Sequence, residues 1–326
     1  MEDLLFSVNA VSPIIIMVLI GYILKALGLF PKSVATALNR VVFRVFLPAM
    51  LMLNIYNIRP GTKIEISYII YGVGMVLLLF VLLFYPFCCL LPEKRQRGVM
   101  LQTIFRSNYA LIGIPIAEAL AGEIGVIYAT VLGAVTIPIF NVLAVFCLSI
   151  FSDKKVSYKS VLLGVLKNPL IIGVALGGAC LGLRWIFVQA GVSFRLTDIE
   201  PVFTVIQNLS QISTPVALLC LGAGFEFSAI PALKRQILLG VGTRNLLVPI
   251  VGLGAALLIG GFTDAHFAVF IALFSSPLAV STVPMAQEMD GDSELAGQIL
   301  VFSTIASAFS IFLSTYALRL FGFFQA

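Results

Sequence analysis

The sequence predicts an all-α polytopic membrane protein of ten transmembrane helices, arranged as two inverted five-helix repeats, with helices four and nine broken. Three observations predict it. The 326-residue chain is 60% hydrophobic and 11% charged, where a soluble domain carries about 25% charged residues. Apolar stretches long enough to cross a bilayer recur ten times. Two proline-containing apolar segments match between the halves at one constant offset. Phe105-Arg106-Ser107-Asn108-Tyr109-Ala110-Leu111-Ile112-Gly113-Ile114-Pro115 aligns with Phe274-Ser275-Ser276-Pro277-Leu278-Ala279-Val280-Ser281-Thr282-Val283-Pro284.

The spans cover roughly 7–29, 34–56, 66–91, 98–121, 124–151, 159–183, 200–225, 232–260, 264–288 and 293–321. Short polar gaps separate them, without linker or low-complexity sequence. Residues 1–326 therefore read as one integral membrane domain, with 1–152 as the first repeat and 153–326 as the second. Span one contains Pro13-Ile14-Ile15-Ile16, echoed in span six by Pro169-Leu170-Ile171-Ile172. Span two contains Leu47-Pro48-Ala49 and span seven Thr214-Pro215-Val216. Five spans per half is an odd number, so the second repeat starts from the opposite side of the membrane.

Basic residues set the expected orientation. With the N-terminus outside, the cytoplasmic span ends hold thirteen: Lys25, Lys32, Arg40, Arg44, Lys94, Arg95, Arg97, Lys154, Lys155, Lys159, Lys167, Lys234 and Arg235. The outer ends hold five: Arg59, Lys63, Arg184, Arg195 and Arg319. Both termini are expected outside the inner or plasma membrane. With an acidic start (Glu2, Asp3), no cleavable signal peptide is expected. Cys88, Cys89, Cys147, Cys180 and Cys220 read as buried small hydrophobes without disulfide or metal spacing. The net charge of +5 follows membrane edges, which excludes a nucleic-acid partner. Lipid is the expected surrounding.

Spans four and nine carry the candidate site. Counted from Gly98 at 1.5 Å per residue, Asn108 lies about 15 Å into the membrane, near its midplane. Ser276 reaches similar depth from Asp264. A broken backbone ladder survives at that depth only inside protein or beside a cavity. Pro115 and Pro284 remove donors and free N–H groups at the start of each second half-helix, where anions bind. The set expected to contact substrate is Asn108, Ser107, Tyr109, Pro115, Ser276, Pro277, Ser281, Thr282 and Pro284. Asn54 in span two and Asn141 in span five, near Pro138, join it. Asn108 also reads as inter-helix glue.

Arg106 and Arg244 are the basic residues well inside spans, where charge is costly and usually functional. They attract an anion or pair with backbone carbonyls at the breaks. Glu118, Glu226 and Glu288 fall near span ends, so no mid-span carboxylate offers a sodium site. His266 is expected at the surface beside an outer loop, and Trp185 as an interfacial anchor. No cofactor or metal is expected.

Arg106-Ser107-Asn108, Gly113-Ile114-Pro115 and Ala121-Gly122-Glu123 together resemble the fourth span of the auxin efflux carrier family. Lys167-Asn168-Pro169-Leu170-Ile171-Ile172 is similar to its sixth span, and Thr214 to Ala223 to its seventh. That family includes plant PIN-type auxin carriers and bacterial malate or malonate carriers. The short connection between spans five and six resembles the bacterial type. The resemblance implies that spans four and nine cross at their prolines. It implies a scaffold of spans one, two, six and seven, and a transport domain of spans three to five and eight to ten. It further implies elevator movement, a homodimer, and Asn108 as the contact to a substrate carboxylate.

The leading function is secondary transport of a small organic anion, such as a carboxylate or an indole acid. A proton- or sodium-coupled dicarboxylate carrier is the alternative, and an anion channel a further one. An intramembrane enzyme lacks its chemistry here: there are no paired mid-membrane aspartates, no HExxH and no serine–histidine arrangement. A pump would need a Walker A motif, which is absent.

Overall fold

Helix dominates the chain, and proline governs where it is distorted. The structure, a computed structural model, describes residues 2–57, 65–152 and 167–324, with side chains from residue 12. Its helices are α1 (Glu2–Ala26), α2 (Lys32–Val41), α3 (Leu47–Tyr56), α4 (Ile66–Leu90), α5 (Lys94–Phe105), α6 (Ile114–Ile150) and α7 (Pro169–Gln189). There follow α8 (Glu200–Gly224), α9 (Ile230–Gly242), α10 (Val248–Ile259), α11 (Asp264–Phe274), α12 (Thr282–Glu288) and α13 (Ser293–Leu320). Seven stretches among the described residues are long and apolar enough to cross a membrane. Large apolar side chains face outward on them, with Tyr85 76% and Leu258 90% exposed. A water-facing surface would not tolerate this, whereas lipid does. The molecule is a multi-pass membrane protein.

Three π-helical turns, Val42–Phe46, Tyr109–Gly113 and Thr243–Leu247, each end two residues before a proline. Proline cannot donate to the carbonyl four residues back, so the helix widens there. Asn245, four residues before Pro249, shows the consequence: its freed carbonyl accepts from Ser310 Oγ at 2.7 Å. Pro115 and Pro284 are not the break points that the sequence suggests. The chain leaves helix earlier, at Arg106–Asn108 and Ser275–Ser281. Both prolines sit near the start of the following helix, where a missing N–H costs least.

Glycine sets the close crossings. A Cβ on Gly222 of α8 would lie 2.0 Å from Val18 O of α1, and one on Gly21 2.2 Å from Leu219 O. Gly173 and Gly177 of α7 approach the Pro48 and Met52 carbonyls of α3 in the same way. Small residues let helix backbones touch where lipid supplies no hydrophobic drive. These contacts join α1, α2, α3, α7 and α8 into one packed group. A second group has α6 against α11 and α5, and α13 against α9 and α12; α1 also meets α13. Gly122, with φ 59° and ψ −146°, turns α6 between the predicted fourth and fifth spans. That backbone geometry is open only to glycine.

Other sequence expectations change. His266 is buried, not at the surface: its side chain stacks on Tyr68 and lies 3.4 Å from Glu65. The ring is apolar enough to pack while its Nδ1 accepts from the Thr263 backbone N–H. Of the five cysteines, Cys147 and Cys220 are buried, Cys88 and Cys180 half-buried, and Cys89 exposed. A thiol tolerates lipid as well as core. Arg59, Lys63, Lys154, Lys155 and Lys159, part of the orientation argument, lie outside the described residues.

Candidate functional site

The two interruptions meet each other. Ser107 and Leu278 form an antiparallel bridge. Asn108 N–H donates to Pro277 O at 2.8 Å, and Ala279 N–H to Arg106 O at 3.4 Å. Leu278 N–H donates to Ser303 Oγ at 3.2 Å. Buried backbone groups need partners, and each interruption supplies them to the other.

Arg244 completes this pairing. It is 1% exposed. Its Nε donates to Ser276 O at 2.9 Å, and Nη2 to the Leu273 and Phe274 carbonyls at 2.8 Å each. Nη1 reaches Ile104 O at 3.4 Å. The guanidinium thus caps the C-terminal ends of α11 and α5, where carbonyls carry partial negative charge. Of the two roles open to it, carbonyl pairing is the one its geometry takes, and it does not line the cavity described next.

A cavity of about 60 Å³ opens beside the bridge. Its polar lining is Asn54, Arg106, Ser107, Asn108, Tyr109, Asn141, Thr214 and Ser281. Most of the residues singled out from the sequence converge here: Asn54 from α3, Asn141 from α6 and Ser281 from the turn before α12. Ser276, Pro277, Thr282, Pro115 and Pro284 lie outside its wall. Ser276 is engaged structurally, its Oγ donating to Ala272 O at 2.6 Å. The Thr282 hydroxyl is buried without a partner. Thr214, which the sequence offers only as part of a span-seven motif, and Gln102 are not legible as site residues, since single polar residues inside apolar helices carry no periodic signal.

Arg106 is 2% exposed and forms no ion pair among the described residues. Nη1 donates to Gln102 Oε1 at 2.9 Å; Nη2 donates to Asn141 Oδ1 at 2.9 Å and Ser281 Oγ at 2.8 Å. Neutral oxygens fix the guanidinium in place and leave its charge uncompensated. Ser107, Asn108 and Tyr109 line the same cavity, and Ser107 Oγ, Asn108 Nδ2 and Tyr109 OH are buried without a hydrogen-bond partner. Such orphaned groups are costly and call for explanation. A cavity whose wall combines groups able to donate with a fixed positive charge suits an anion.

Two further cavities adjoin. One of about 480 Å³ shares Met50, Asn54, Ala110, Leu111 and Thr214, and is otherwise mostly apolar. One of about 190 Å³ shares Asn54, Ala110 and Ile137 and extends to Asn57, just past α3.

The chain matches the family described as membrane transport protein over residues 6–155 and 152–315. It is also 24% identical over 328 residues to an uncharacterized transporter of Methanothermobacter thermautotrophicus, covering 94% of this chain and 96% of that one. Together with the motifs at Arg106–Pro115 and Thr214–Ala223, these matches show that the chain belongs to this membrane transport family, the auxin efflux carriers, and is a transporter rather than an enzyme.

Proposed function

We propose that this protein is a secondary transporter of a small organic anion, with the carboxylate held at the meeting of the two helix interruptions. The observation that carries the reading is one cavity wall that holds the uncompensated Arg106 together with Ser107, Asn108 and Tyr109, whose Oγ, Nδ2 and OH are buried and unpaired. A carboxylate accepts several hydrogen bonds at once. It would satisfy those donors and neutralise the guanidinium. Arg106 acts mainly through its charge, because both terminal nitrogens already hold protein oxygens. The adjoining apolar cavity gives room for the rest of the molecule.

In this reading the chain forms ten spans in two inverted repeats, with both termini outside the inner or plasma membrane. Helices α1, α2, α3, α7 and α8 are the scaffold, and the second packed group carries the site past it as an elevator. Two copies associate as a homodimer. A screen of thermal stability against mono- and dicarboxylates and indole acids tests the substrate class. Ligands that bind only the native state raise the melting temperature with the logarithm of their excess over Kd. The reading predicts a shift that grows with the logarithm of concentration for at least one carboxylate, and none with its amide. No shift with any acid counts against it.

A further inference from the structure

The two packed groups also touch through charged and polar side chains. Glu288, the last residue of α12, accepts from Arg40 Nε and from Arg44 Nη2 at 3.2 Å each. Next to them in sequence, Asn39 Nδ2 donates to Gln287 Oε1 at 3.0 Å, and Gln287 Nε2 to Thr36 O at 3.1 Å. All of the first-group partners lie on the stretch Lys32–Tyr56, which runs on to form the cavity wall at Leu47, Met50, Leu51 and Asn54. Arg44 is about 15 Å from Asn54 along that helix axis. On the opposing side, Ser281 lines the cavity just before α12, and Glu288 ends it. The same two walls thus carry the cavity and, further along, the ionic contact. An adjoining cavity of about 190 Å³ runs the other way, to Asn57, while on the Lys32 side a separate cavity of about 330 Å³ reaches Thr36, Asn39 and Gln287 of this contact.

We propose that Glu288, gripped by Arg40 and Arg44, is a latch that closes the Lys32 side of the site and is released when the site turns to that side. This rests on the transport reading given above. Its chemistry suits a reversible contact. A carboxylate at a helix C-terminus is disfavoured by the helix dipole, so Glu288 depends on the two arginines. Both arginine side chains are more than 60% exposed, while the glutamate is 11% exposed. Water can therefore take over the cations when the groups part. The closed contact is also incomplete: Asn39 Oδ1 is buried without a partner. A fully satisfied interface would hold the carrier in one state, whereas exposed pairs contribute little each.

The test uses the full chain in sided vesicles, with the native cysteines replaced and one cysteine at Ala279, in the cavity wall. A membrane-impermeant maleimide reads its accessibility from each side. Glu288→Gln, or Arg40→Gln with Arg44→Gln, should raise labelling from the Lys32 side about three- to tenfold and lower it from the Asn57 side. The reversed set, Arg40→Glu, Arg44→Glu and Glu288→Arg, should restore the original sidedness. A folding defect does not produce that reciprocal change or its rescue. Unchanged sidedness in Glu288→Gln, or no restoration by the reversed set, overturns the latch. The readout needs no substrate. A shifted sidedness without carboxylate binding would defeat the functional reading and leave the latch standing.

Discussion

Ser107 and Leu278 face each other across an antiparallel bridge although they belong to opposite halves of the chain. Two short extended segments inside an apolar protein would each leave backbone groups unpaired. Joined, they pair at Asn108 N–H to Pro277 O and Ala279 N–H to Arg106 O. Neither interruption is stable without the other, and their meeting turns the next side chains toward one cavity.

Asn108→Ala removes one unpaired donor from the cavity and deletes no hydrogen bond that Nδ2 makes within the protein. A hydrogen bond to a charged group contributes about 1.5–3 kcal/mol, so carboxylate affinity should fall between roughly tenfold and more than a hundredfold. Yield and monodispersity should stay near the parent's. Isothermal titration of the best acid from the thermal screen measures it, and unchanged affinity moves the site elsewhere.

Arg106 and Arg244 should fail in different ways. Arg244→Ala leaves buried carbonyls at Ser276, Leu273 and Phe274 without their donor. At about 1–3 kcal/mol each, the expected loss is at least about 3 kcal/mol, seen as poor yield and a large fall in melting temperature. Arg106→Gln should chiefly weaken the anion, about tenfold or more, while Arg106→Lys keeps part of the affinity by keeping the charge. Equal loss of stability in both glutamine and alanine variants would contradict this division.

Gly222→Val places side-chain carbon where the Val18 carbonyl already sits. Overpacking of this kind costs about 1–3 kcal/mol. The variant should melt lower than the parent, while Gly224→Val, where a Cβ meets nothing within 4 Å, should change little. Parallel melting curves in the same detergent decide it.

Transport should carry net negative charge and need no sodium. The cavity wall contains no carboxylate among its described lining residues. Moving one negative charge outward across 100 mV, inside negative, gains about 2.3 kcal/mol, enough to drive export without a coupled cation. Solid-supported-membrane recordings on proteoliposomes should show a substrate-induced current that persists when choline replaces sodium. Loss of the current in choline, or verified flux without current, would refute the respective claim.

The sequence by itself determined that this is a membrane protein of a transport family, and it pointed to the Arg106–Pro115 and Phe274–Pro284 segments. Composition and the proline and asparagine pattern are local properties, readable without coordinates. It also named Asn54, Ser107, Asn108, Tyr109, Asn141 and Ser281, which line one cavity in the structure. Only the tertiary structure decided that the helices end before the prolines, because a partner segment from the other half was needed to satisfy the freed backbone. It likewise separated the two arginines, which look alike in sequence. Arg244 meets the carbonyls of α11, and Arg106 meets neutral side chains beside a cavity. Burial of His266 and the grip of Arg40 and Arg44 on Glu288 were also invisible in the sequence. The reason is physical: charge and polarity belong to a residue, but what compensates them is set by which distant segment folds against it.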